Sequence, residues 1–207
     1  MFKSAGHGTP ATMRIVVGPV RISGVPTGSE PFRRSTEPMG LTLLDFWRWS
    51  ESDLLNSQTR SRLAEFIVAT ALGARAEGPR DERSALELVT PDDVEVRVKS
   101  GSFLKSFRQQ DLSKVVFIPQ VRPRPGASLG AARRPLVHVF ALLDSVERAS
   151  VDPLDLGQWR FFVPPTSKLE ALTKEQHALT VPRLDELSMG SVAFEDLEVA
   201  VRRAAEP

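Results

Sequence analysis

Valines 94, 96 and 98 alternate with Glu95, Arg97 and Lys99. A period of two places the three charged groups on one face of a strand over Val94–Ser100 and the valines on the other. Leu86–Val89 predicts a second strand, joined to the first through a turn at Pro91-Asp92-Asp93, so that Glu87 and Lys99 stand side by side. Val115–Pro119, the strongly apolar Leu136–Leu143 and Trp159–Val163 continue the series of strands. Leu43–Ser50 predicts a short helix, and Ser57–Leu72 a longer one stopped by Gly73. Leu63, Phe66, Ile67, Val68, Ala69, Ala71 and Leu72 lie nearly all round that second helix, which implies burial between layers and puts Glu65 on a largely buried element. Phe103–Gln110 predicts a further helix. Ser191–Ala204 predicts an amphipathic closing helix with Phe194, Leu197, Ala200 and Val201 on one side.

These elements make an α/β protein with a mixed central sheet of about five strands flanked by helices. Residues 1–40 hold five prolines and six glycines and form an arm, with one strand expected at Met13–Ile22; Pro19 confines it to an edge. Residues 41–207 form one domain, and residues 121–135, rich in proline, glycine and alanine, form a basic loop within it. A chain of 207 residues with 41% hydrophobic content supports one substantial core.

Charge changes the picture more than composition does. The formal net charge is +1, yet residues 96–134 contain nine lysines and arginines against the single acid Asp111. That concentration supplies sequence-independent attraction for a polyphosphate partner. The chain has no cysteine, which removes disulfides, thiolate metal sites and a thiol nucleophile, and points to an intracellular, cytoplasmic setting. No run approaches the roughly 18 apolar residues of a membrane span, so no membrane partner is expected.

The order Phe46-Trp47-Arg48-Trp49-Ser50, Ser52-Asp53-Leu54, Asn56, Thr59-Arg60, Ala64-Glu65-Phe66, Glu87, Val98-Lys99-Ser100, Gln109 and the Trp159-Arg160-Phe161-Phe162-Val163-Pro164 stretch resembles bacterial members of the PD-(D/E)xK, or restriction-endonuclease-like, nuclease superfamily. The resemblance runs from Leu41 to the C-terminus and implies that superfamily's α/β core. It assigns catalytic work to Glu65, Glu87, Lys99 and Gln109. Metal binding falls to Glu65 and Glu87, with Lys99 orienting the attacking water. Hard Mg²⁺ or Mn²⁺ takes oxygen ligands and lowers the pKa of bound water, which is the chemistry such carboxylates would serve.

The pattern is broken two residues before the lysine, where the superfamily has an acid and this chain has Arg97. A guanidinium stays charged and cannot ligate a cation. Glu95 lies on the same face one pleat further, about 6.6 Å away, and is the remaining candidate for the metal. Another registration takes Glu95-Val96-Arg97 as the acid-x-base motif. Lys105 also stands where relatives carry glutamine. Both departures add positive charge, and Arg97, Lys105, Arg108, Arg122, Arg124, Arg133 and Arg134 become the expected nucleic-acid contacts. Three readings follow: a DNA-binding, degenerate nuclease fold; an active Mg²⁺- or Mn²⁺-dependent DNA endonuclease; and a structural subunit of a defence complex. The resemblance also implies a homodimer.

Blander roles stand beside these. Glu87, Glu95 and Lys99 suit a solvated strand face, where a cross-strand pair is worth roughly 0.2–1 kcal/mol. Glu65 could simply bond Arg60 or Arg62, although both are poorly placed for it at five and three residues away. Trp47 and Trp49 suit packing, and His138 a hydrogen-bonded core position. His7 and His177 have no partners at metal-ligand spacing, and residues 124–130 lack the strand-to-helix setting of a phosphate loop.

Overall fold

The computed structural model describes residues 24–74, 88–119, 136–173 and 178–206. The expected strand at 13–22, Leu86 and Glu87, and the loop at 121–135 lie outside them.

The first elements form a unit of their own. β1 (Pro31–Arg34) and β2 (Glu37–Thr42) make an antiparallel ribbon that leads straight into α1 (Leu43–Glu51). Composition places the end of the N-terminal arm at residue 40, which falls inside β2. Thr42 starts α1 with a reciprocal capping box: its hydroxyl accepts from the Asp45 amide while the Asp45 carboxylate accepts from the Thr42 amide at 2.8 Å. α1 buries none of its residues. Trp47 is partly covered by the Gly28 backbone, but Trp49 is 84% exposed, so the tryptophans are not the packing residues expected of them.

α2 (Ser57–Ala71) is capped by Asn56, whose side chain accepts from the Gln58 amide, and ends two residues before Gly73, which has a positive φ of 60°. Thr59, Arg60, Ala64, Ile67, Val68 and Ala69 are buried, whereas Phe66 is 62% exposed. The helix therefore covers one face of a sheet and is not enclosed on all sides.

That sheet has four strands in the order β3-β4-β6-β7, formed by β3 (Leu88–Val89), β4 (Glu95–Ser102), β6 (Leu136–Leu143) and β7 (Trp159–Phe162). It is mixed, because β4 and β6 run parallel while β3 and β7 flank them antiparallel. Of the five strands expected in it, β5 (Val116–Phe117) instead pairs with β8 (Leu179–Thr180) in a small separate ribbon. Three helices follow: α3 (Thr166–Thr173), α4 (Val181–Ser188) and α5 (Leu197–Ala205). α5 starts later than the pattern predicts, since Val192 first makes a bridge to Phe161 and Phe194–Asp196 forms a single 3₁₀ turn.

Two cores sandwich the sheet. On one face Val94, Val96, Val137, Val139, Ala141, Leu143, Trp159 and Phe161 meet α2 and α5. On the other Phe140, Leu142 and Phe162 meet Phe117, Leu169, Leu179 and Leu184. Arg160 ties β7 to its surroundings through Asp144 and Asp185, each at 3.2 Å, and lies over the Phe162 ring. Among the described residues no helix is long and apolar enough to cross a membrane.

Candidate nucleic-acid interface

β4 supplies the centre of the candidate site. The valine face is fixed by contact with α2, because the Ser61 and Ser100 hydroxyls meet at 3.0 Å and Val96 and Val98 pack in the core that α2 covers. Alternation then sends Glu95, Arg97 and Lys99 to the opposite face. The parallel register puts Arg97 beside His138 and Lys99 beside Phe140 on β6. His138 is 2% exposed and stacked on Phe140 with ring centroids 6.1 Å apart, the core position expected of it.

The charged row stops at Gly101. A Cβ there would stand 2.6 Å from Val115 Cγ1 and 2.8 Å from Phe117 Cζ, so the second core closes over the strand where the side chain is missing. The chain between Ser102 and Ser113 is not the helix its pattern predicts. Its backbone groups are satisfied from side chains and across the loop, which leaves no i to i−4 ladder. Gln109 Oε1 accepts from the Lys105 amide at 2.6 Å, and its Nε2 donates to the carbonyls of Phe103 (2.9 Å) and Asp111 (2.8 Å). Ser102 Oγ accepts from the Leu104 amide, and the Ser113 amide donates to Phe103 O at 2.9 Å. Arg148, from the loop after β6, donates through Nη2 to the carbonyls of Lys105 (2.6 Å) and Phe107 (2.9 Å). Sequence reading missed Arg148, because only the parallel β4–β6 pairing brings its loop beside the one after β4.

The expected site residues divide accordingly. Lys99, Lys105 and Arg108 share β4 and the loop that leaves it. Gln109 holds that loop in shape, and its amide is fully used in doing so. Glu65 is half-buried on α2, on the valine side of β4; of the two arginines considered for it, Arg60 donates to Leu55 O at 3.1 Å, and Arg62 pairs with Glu51 at 2.6 Å. Burial pushes the Arg60 guanidinium below its usual pKa. Glu65 and Lys99 thus leave β4 and its covering helix on opposite sides of the strand. Glu87, Arg122, Arg124, Arg133 and Arg134 lie outside the described residues.

Glu95 is on the Lys99 face and Glu65 is on the other. Among the described residues no three histidine or acidic side chains gather as metal ligands. Glu87, the strand-borne acid expected to share the metal, lies outside the described residues.

Arg62, Arg160, Arg183 and Arg202 all have carboxylate partners within 3.2 Å. Lys99, Lys105, Arg108 and Lys114 make no ion pair among the described residues. Compared with family models, curated proteins and solved structures, the chain gives no match.

Proposed function

We propose that the chain is a nucleic-acid-binding protein, with DNA as its partner, whose contact surface runs from Lys99 on β4 through the loop that follows. The observation that carries this reading is the run of four cations on one stretch of chain, Lys99, Lys105, Arg108 and Lys114, none of which makes an ion pair among the described residues. Unneutralised cations concentrated on one stretch raise the local concentration of phosphate and release counterions when they meet it. The fixed loop adds preorganisation, because little ordering remains to be done on binding.

The resemblance to restriction-endonuclease-like proteins supports the same partner. On this reading the fold is kept for binding, with Arg97 in place of an acid, and phosphate contact replaces hydrolysis. The opposite-side placement of Glu65 and Lys99 favours binding over cleavage.

The test is the affinity of the full chain for labelled DNA across a salt series. Each phosphate contact contributes about 0.7 (single strand) to 0.9 (duplex) to the slope of log K against log salt, so four contacts give a slope of roughly −3 to −4. Binding that is undetectable at about 50 mM salt removes the reading.

A further inference from the structure

Phe107 sits in the middle of the cationic loop and is 68% exposed. The apolar residues just before it behave in the usual way: Leu104 is buried, and Phe103 packs against the second core. Phe107 has no ring partner among the described residues. Its exposure is not that of a slack loop tip, because the Phe107 carbonyl is held by Arg148 and the adjoining backbone by three hydrogen bonds with the Gln109 side chain, one accepted and two donated. The loop thus presents a planar apolar ring outward at a fixed place, between Lys105 and Arg108.

Resting on the reading above, we infer that Phe107 is a stacking platform for an unpaired base and that the ligand class is single-stranded nucleic acid. Water-exposed aromatic area at a rigid position is costly to keep and gains when a flat partner covers it. Neighbouring cations without acids suit a partner whose bases alternate with phosphates. In a duplex the faces of the bases are already stacked on one another, so a projecting ring finds no face to meet. In a single strand each base offers one, and such stacks together with a cationic track are how sequence-tolerant single-strand binding is built. Phe107 supplies the stack; Lys105 and Arg108 take the flanking phosphates.

The experiment uses the full chain, a labelled oligothymidine of roughly 16 nucleotides and the duplex of the same length. Phe107→Ala is expected to weaken single-strand binding by about 5- to 150-fold, the equivalent of one lost base stack, with the salt slope unchanged. Duplex binding should stay within about twofold, since no stack is lost there. Arg108→Ala should instead reduce the single-strand slope by about 0.7. Phe107→Trp should retain affinity and add indole fluorescence that is quenched by the oligothymidine, a readout that a purely structural ring would not give. The side chain is outside both cores, so unchanged circular dichroism and melting will accompany each variant. If Phe107→Ala binds the single strand as tightly as the parent while Arg108→Ala flattens the slope, the stacking inference is overturned and the function reading survives. If the parent binds neither ligand, the function reading itself fails.

Discussion

Gly101→Ala offers a stringent check on how the candidate face is built. The usual expectation for glycine in a strand is that alanine helps, by about 0.4–1 kcal/mol, because it narrows the unfolded ensemble. Here the new methyl would lie 2.6 Å from Val115 Cγ1 and 2.8 Å from Phe117 Cζ, both well inside van der Waals contact. Phe117 is 3% exposed and is engaged edge-on with Phe140 at 5.3 Å, so its ring has no space into which to withdraw. Val115 is only half-buried and can yield. Overpacking of this kind costs about 1–3 kcal/mol, which outweighs the entropic gain and leaves a net loss. Urea denaturation should therefore show a lower midpoint with an unchanged m-value. Adding Val115→Ala to Gly101→Ala should recover part of the loss, and the cycle should give a coupling of about 0.5 kcal/mol or more between the two sites. A Gly101→Ala protein as stable as the parent would refute the packing argument, and with it the account of why the charged row ends at that residue.

Two further outcomes are expected. The Glu30 carboxylate is held down to about 2 from 4.5, first by the Thr27 amide and also by the Gly28 amide, each at 2.8 Å. A depressed acid stabilises above its unfolded pKa and loses that contribution as pH falls through the folded value, so the turn should loosen between about pH 4.5 and 2. The amide resonances of Thr27 and Gly28 should report it, and Glu30→Gln should abolish the step; Asp45, also held below the usual range by the Thr42 amide, must titrate separately. Arg97→Glu reverses one charge on the β4 face and should weaken DNA binding while reducing the salt slope by about 0.7–0.9; an unchanged slope in a titration of the folded variant would place Arg97 outside the contact surface.

The sheet was legible wherever the pattern was undiluted. Leu136–Leu143 is an unbroken apolar run, and it becomes the strand buried on both faces, with the expected boundaries. The Val94–Ser100 alternation names the two faces of β4 correctly because α2 needs an apolar surface and the charges need the other. Ser57–Leu72 is recovered to within a residue through Asn56 and Gly73, a cap and a stop that act locally. The losses come where tertiary partners decide. Phe103–Gln110 has helical composition, but Gln109 and Arg148 capture its carbonyls. The β1–β2 ribbon was hidden among prolines and glycines, and α3 and α4 are short helices whose anchors, Leu169 and Leu184, count only once the second core exists. For the site, the cations of β4 were readable from spacing. The side of the strand from which Glu65 approaches was not, because a helix pattern fixes its buried stripe and leaves open the sheet face that receives it.

The parallel pairing of β4 with β6 also sets an order of events as the chain folds. Glu95 meets Leu136 and Ser102 meets Leu143, so the central pair joins segments separated by roughly forty residues, and the entropy of that closure is spent before any ladder bond forms. Local pieces such as the β1–β2 ribbon, α1 and α2 can be drawn together early, yet the apolar stripe of α2 has nothing to cover until both strands are in place. Closure of that same core also needs Leu197, Val201 and Ala204 of α5, from the far end of the sequence. A nascent chain lacking α5 carries the valine face of its sheet open on one side, so the folding nucleus and the last helix are bound to one another, and burial of that face waits for the C-terminal turn of the protein.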